Sequence, residues 1–269
     1  MFGKQKLAAL VAEFLGTGIL TLVSLKILYS LGVPFFVAMG SGLVLAMLVY
    51  VFVANSWGYF NPAITLAMVT VRKMDAISGL LYIVVQLLGA WAAYGVYTYM
   101  MNGSPAELTT SFNWQSVTVQ AVGSGIFAVG IAAAVYQGLN RVRSAAWIGL
   151  SLMVGMLIAL TVSVSPLTGQ GSIVSGFLNP AVSLGVRGWD IWGSLGWGVS
   201  VLGPVIGAVV GVNIYKYLFA DTELIVDSAA VVTPTAVKSG TRATTKAATT
   251  KRSAKVTKPA AKKKTTRKK

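Results

Sequence analysis

Hydrophobic positions along the chain gather into six long blocks, at about Leu7–Leu28, Phe35–Ala54, Ala76–Met100, Ser116–Tyr136, Ala145–Val162 and Gly193–Phe219. Each approaches the length of a helix that crosses a bilayer, roughly 20 residues. Two shorter apolar runs, opening at Asn61 and at Asn179, cannot span. Unbroken apolar runs predict helices, because a membrane barrel reads as short segments of alternating polarity. The expected fold class is an all-α membrane protein with six transmembrane helices and two half-length helices. The first block is too long for the core of a cleaved signal peptide and is expected to be the first span.

The polar segments between blocks set the topology. Lys and Arg mark the inner side of a membrane protein. Lys4 and Lys6, Arg72 and Lys73, Arg141 and Arg143, and the C-terminal tail all fall on one side, whereas segments 101–115 and 163–178 on the other carry neither residue. Both termini are therefore expected to be cytoplasmic, and the two short helices to enter from opposite faces.

Composition sharpens this. Hydrophobic residues make up 55% and charged residues 11%, and the mean hydropathy is +0.72. The formal charge of +15 belongs mostly to the tail, since 13 of the 22 basic residues lie from Lys238 to Lys269. Cysteine and histidine are absent, which excludes disulfides, thiolate or imidazole metal sites, and nucleophilic arrangements that need either residue. Seven acidic residues, Glu13, Asp75, Glu107, Asp190, Asp221, Glu223 and Asp227, are scattered and suggest no carboxylate pair. Neither an enzyme, a cofactor nor a metal is expected.

One tripeptide occurs twice, as Asn61-Pro62-Ala63 and Asn179-Pro180-Ala181, each opening a short run. Asn can cap a free backbone N–H while Pro, lacking one, takes the first helical position. The surroundings repeat as well. Residues 13–18 (Glu-Phe-Leu-Gly-Thr-Gly) match residues 120–125 (Gln-Ala-Val-Gly-Ser-Gly), and Gly42 matches Gly149 at the same offset of 107 residues. After the long loop the offset becomes 118, which pairs Asn61 with Asn179, Gly89-Ala90 with Gly207-Ala208 and Tyr97 with Tyr215. Three spans per repeat invert the second half relative to the first, an arrangement that puts sites at the midplane.

Two Asn-Pro-Ala boxes in inverted three-helix halves, with an Ala12-Glu13-Phe14-Leu15-Gly16-Thr17 opening, resemble the aquaporin or major intrinsic protein family over about residues 7–220. The resemblance implies a six-helix bundle, usually tetrameric, with one pore per subunit and two re-entrant half-helices meeting at mid-membrane. Each half-helix then aims its positive end at the centre. If the Asn61 and Asn179 oxygens cap, their amide N–H groups face the lumen as donors.

The chain also departs from the family pattern. Water channels of the family carry an Arg after the second box, acting with a His and an aromatic residue. Here the Arg position is Val182, and alignment puts Ser41 at the aromatic position, Met156 at the His position and Gly176 at the remaining one. This set predicts a constriction wider and more apolar than an Arg/His filter; the alternative is that the long loop before Asn179 fills the gap with backbone carbonyls or a side chain and leaves a narrow or closed pore. Arg187 is expected to mark the end of the short helix, and Ser183 stands where glycerol-conducting members commonly place Asp. Glu13, an ionisable group inside a span, is either a proton relay or an acceptor for the backbone of a re-entrant loop. Its repeat partner Gln120 cannot ionise but can accept, which favours the anchoring role. The glycines are expected at helix contacts, and the Trp residues at interfaces or in packing.

Two domains follow: a channel domain over residues 1–226 and a basic cytoplasmic tail over residues 227–269, whose Ala, Thr, Ser, Lys and Arg cannot build a core. The tail is expected to be disordered and drawn to anionic lipid headgroups. Nucleic acid is the weaker partner, since the tail holds no aromatic residue to stack on bases. The expected function is a passive channel for water and small neutral solutes such as glycerol or urea. The alternative is a poorly conducting membrane scaffold or adhesion protein of the same fold.

Overall fold

The computed structural model describes residues 3–104, 112, 114–163, 176–186 and 198–220. Its helices are α1 (Lys4–Leu31), α2 (Pro34–Phe52), α3 (Pro62–Thr70), α4 (Ala76–Met101), α5 (Trp114–Tyr136), α6 (Arg141–Ser163), α7 (Pro180–Val186) and α8 (Gly203–Phe219), the last preceded by a π-helical turn, Gly198–Leu202. Among the described residues six helical runs are long and apolar enough to cross a membrane: α1, α2, α4, α5, α6 and Gly198–Phe219. Helices α3 and α7 are the two half-length elements. Arg187 and the tail lie outside the described residues.

Local chemistry fixes the helix starts. Pro62 and Pro180 open α3 and α7, and Pro34 opens α2, positions where a missing N–H costs nothing. Asp75 caps α4 by accepting from the Ser78 N–H at 2.9 Å. That bond holds its carboxyl below the usual carboxylate range.

Packing follows the internal repeat. In the first half α1 lies on α4, in the second α5 lies on α8, and the halves meet where α2 packs on α6. Gly42 and Gly149 face each other across that junction. A Cβ on Gly42 would stand 2.7 Å from the Gly149 carbonyl oxygen, and one on Gly149 2.5 Å from that of Gly42. Only a hydrogen fits at either place, so helix backbones come together there as small residues allow in membrane bundles.

One end of the bundle is basic. Lys6 and Lys73 border one cavity, the Lys73 ammonium sits 4.4 Å from the centre of the Tyr136 ring, and Arg141 donates to the carbonyls of Tyr50 and Val51 at the close of α2. These contacts engage one member of each of the three basic pairs flanking the spans. Lys26, inside the first span, reaches the other way and donates to the Met101 sulfur at 3.6 Å.

Candidate functional site

The two half-helices meet N-terminus to N-terminus through a reciprocal set of bonds. Asn61 Oδ1 accepts from the Ala63 N–H at 2.9 Å, and Asn179 Oδ1 from the Ala181 N–H at 3.1 Å, so both side chains cap their own helix. Each amide then crosses over. Asn61 Nδ2 donates to the Leu178 carbonyl at 3.0 Å and Asn179 Nδ2 to the Phe60 carbonyl at 2.8 Å. Phe60 and Leu178 carry positive φ angles of 47° and 56°, a costly conformation for bulky residues that clusters where function requires it. Here it turns their carbonyls to the opposite Asn. Each amide retains a second N–H beyond the one used in the crossing.

Behind the first box stands Glu13, fully buried. Four donors converge on its two oxygens: Ser56 Oγ at 2.9 Å and the Tyr59 N–H at 3.1 Å on Oε1, the Phe60 N–H at 2.7 Å and Gln86 Nε2 at 2.8 Å on Oε2. Gln86 also joins Thr65 Oγ1 at 3.0 Å, tying α4 to α3. This geometry is that of a loop anchor, with every polar contact pointing inward as a donor. Among the described residues the second half shows no counterpart: Gln120 is equally buried, yet neither its Oε1 nor its Nε2 has a hydrogen-bond partner there. At the 118-residue offset Gln86 becomes Pro204, which has no amide to offer, and its carbonyl instead accepts from Ser124 Oγ at 2.8 Å.

A cavity adjoins the Asn pair, lined by Leu20, Ser24, Ser41, Leu45, Tyr59, Asn61, Phe127, Leu152, Met156, Phe177, Asn179 and Val182. Three of the four filter positions expected from the sequence, Ser41, Met156 and Val182, are on its wall. Gly176 is not: its missing side chain would point into Leu160 of α6, and the neighbouring Phe177 takes the lining place. Most of the lining side chains are apolar, Phe127, Phe177 and Met156 among them. About 10 Å³ is open to the centre of a water molecule, which is roughly the room for one water.

Two polar features were not legible in the sequence. Ser24 of α1 faces Ser41 of α2, their hydroxyls 3.1 Å apart and both buried. Tyr59 is among the residues lining the same cavity, its ring stacked on Trp57 at 6.5 Å between centroids and 12° between planes, and its buried hydroxyl has no hydrogen-bond partner among the described residues. Ser24, Ser41, Asn61, Asn179 and Tyr59 thus stand among otherwise apolar lining residues. Among the described residues no group of His, Cys, Asp and Glu could hold a metal.

The model of the major intrinsic protein family matches residues 3–215. The chain belongs to that family. Its membership makes the molecule a multi-pass membrane channel protein rather than an enzyme. Among related major intrinsic proteins, Aquaporin AqpM of Methanothermobacter marburgensis is 26% identical over 217 residues, covering 74% of this chain and 82% of its own. Nodulin-26 of Glycine max is 29% identical, covering 78% and 77%. The propanediol uptake facilitator PduF of Salmonella typhimurium is 27% identical, covering 77% and 91%. In fold, the chain is similar to the aquaglyceroporin of Plasmodium falciparum, with a TM-score of 0.63 at 20% identity, covering 79% of this chain and 96% of that one. Six spans, two half-helices and inverted halves are accordingly the architecture of this major intrinsic protein.

Proposed function

We propose that this major intrinsic protein is a passive channel whose permeation path runs through the cavity at Asn61 and Asn179. The observation that carries the reading is the reciprocal junction, in which each Asn oxygen caps its own helix and each amide retains an N–H beyond the crossing bond. A water beside both amides accepts from both. Its own hydrogens then point away along the path, and the positive ends of α3 and α7 oppose cations and relayed protons. Ser41, Met156 and Val182, with Phe177 in place of Gly176, form the selecting wall. Glu13 acts as anchor and not as relay.

Water is the preferred permeant. The names of the relatives point both ways, since some are aquaporins and PduF is a propanediol facilitator. The single-water room beside the Asn pair supports water over glycerol. Stopped-flow shrinkage of vesicles holding the purified protein tests this: water should leave faster than from empty vesicles, and Asn61→Ala with Asn179→Ala should remove the excess. Glycerol permeability equal to that of water would refute the narrow-path reading. The second reading, a poorly conducting scaffold, draws on the same narrowness and requires permeability no greater than that of empty vesicles.

The bilayer arrangement belongs to the same proposal. Both termini lie on the cytoplasmic side, where Lys4, Lys6, Arg72, Lys73, Arg141 and Arg143 accumulate. Residues 227–269 form a separate basic tail that attracts anionic lipid, and four copies assemble with one path each. Cross-linking in vesicles tests the tetramer.

A further inference from the structure

A second cavity, about 380 Å³, opens at the basic end, lined by Lys6, Ala9, Leu10, Trp57, Lys73, Met74, Asp75, Ile77, Ser78, Leu81 and Tyr82. It lies outside the proposed permeation path, and of the residues around the Asn pair none borders it. We infer that this cavity binds the headgroup of an anionic phospholipid and that the Trp57–Tyr59 stack carries its occupancy to the permeation path. The coupling half of the inference rests on the channel reading above; the binding half does not.

Three observations support the occupant. The first is charge: Lys6 and Lys73 border the cavity against one carboxylate, Asp75, and Lys4 and Arg72 stand next to them in the chain. Lys73 rests its ammonium on the Tyr136 ring, and Asp75, bonded to Ser78, is the one carboxylate near Lys6 among the described residues, so a phosphate would compete with Asp75 for the Lys6 ammonium. The second is the surrounding surface, where Leu7, Val11, Ile77, Leu80 and Val84 are exposed. A lipid anchored by its phosphate would lay its chains along that apolar face, as a free phosphate could not. The third is the indole of Trp57, half-exposed at the cavity, a side chain suited to the headgroup level.

The coupling follows from one contact. Trp57 borders the outer cavity, Tyr59 borders the inner one, and their rings are stacked nearly parallel at 6.5 Å. On the far side the Tyr59 N–H is fixed to Glu13, so the Tyr59 ring is held between a rigid anchor and the indole. A headgroup against Trp57 restrains the stack and keeps the Tyr59 ring across the narrow passage. Occupancy therefore slows permeation.

Native mass spectrometry of the full chain, offered phosphatidylglycerol or phosphatidylcholine, reads the binding, and stopped-flow shrinkage in vesicles of either lipid reads the coupling. The expected result is selective retention of phosphatidylglycerol and water permeability about twofold lower in its vesicles. Lys6→Gln with Lys73→Gln, which keeps the tail and the lipid the tail attracts, should lose the permeability effect and the most tightly retained phosphatidylglycerol. Trp57→Leu should weaken lipid retention less than the double lysine variant does and abolish the permeability difference; a permeability difference equal to wild type in Trp57→Leu overturns the coupling. Equal retention of the two lipids, or an undiminished difference in the double variant, overturns the site. Displacement of the lipid by millimolar inorganic phosphate assigns the cavity to free phosphate and overturns the lipid occupant. Wild-type permeability no higher than that of empty vesicles overturns the channel reading and the coupling together, while lipid retention still decides the binding.

Discussion

Removing the Glu13 carboxyl tests how the two halves differ. In Glu13→Ala the Tyr59 and Phe60 N–H groups lose their acceptor, whereas Ser56 Oγ keeps its bond from the Gly58 N–H and Gln86 Nε2 keeps Thr65. Two buried donors left unsatisfied cost about 1–3 kcal/mol each, so the variant should lose about 2–6 kcal/mol. That is a large share of a typical folding free energy of about 5–15 kcal/mol. Gln120→Ala removes a side chain that makes no hydrogen bond, and the lost packing is offset by the loss of two orphaned polar atoms. Its change should stay within about 1 kcal/mol. In a thermal melt followed by intrinsic fluorescence, at roughly 2–4 °C per kcal/mol, the first variant should fall by roughly 10 °C and the second by little. Glu13→Gln keeps one acceptor oxygen and should lie between wild type and Glu13→Ala. If Gln120→Ala melts as low as Glu13→Ala, the anchoring argument and the asymmetry it rests on are both wrong.

Other changes probe the path and the helix ends. Tyr59→Phe keeps the stack on Trp57 and removes a buried hydroxyl that has no hydrogen-bond partner among the described residues, so stability in a thermal melt should hold or rise by up to about 1 kcal/mol; a clear loss of stability would show that the hydroxyl is engaged. Val182→Arg puts a cation where about one water fits, and should either block water flow or lower the melting temperature by the equivalent of about 3–5 kcal/mol for an unpaired buried charge. Faster water flow in that variant would contradict the narrow wall. Asp75→Ala should lower stability at neutral pH and make no difference in acid. The folded state depresses the Asp75 pKa, so its stabilisation is present above the unfolded pKa and disappears as pH falls through the lower folded value. Melts of both proteins across pH 3 to 7 should therefore converge at the acid end.

The architecture was legible because it is written in periodic and repeated features. Six apolar blocks, the Asn-Pro-Ala pair and the 107- and 118-residue offsets are local or self-referential. That Glu13 would be met by donors was legible for a related reason, since a buried carboxylate in a span must find them. What escaped depends on register between helices. Ser41 was placed as a lining position, but its partner Ser24 looks like an ordinary span residue until α1 and α2 are packed, and Gly176 resembles a lining position until its Cβ direction is known to face Leu160. Between a wide constriction and one filled from the loop before Asn179 the sequence could not choose, because Phe127 and Phe177 come from other elements than Val182 and reach the cavity only through the packing. The crossing of the Asn amides to the opposite carbonyls was likewise invisible, because it joins residues 117 and 119 positions apart.

That crossing bears on how the molecule is made. During synthesis the first Asn-Pro-Ala segment emerges long before the second, and its Asn61 amide and Phe60 carbonyl have their partners only on Leu178 and Asn179. Until those arrive, an inserted first half carries a polar helix end toward the bilayer interior, an expensive state that favours either waiting at the membrane surface or shelter by the insertion machinery. Docking of the second half then satisfies both ends at once, so a half-built intermediate has little stability of its own. The last step of assembly and the creation of the path are one event.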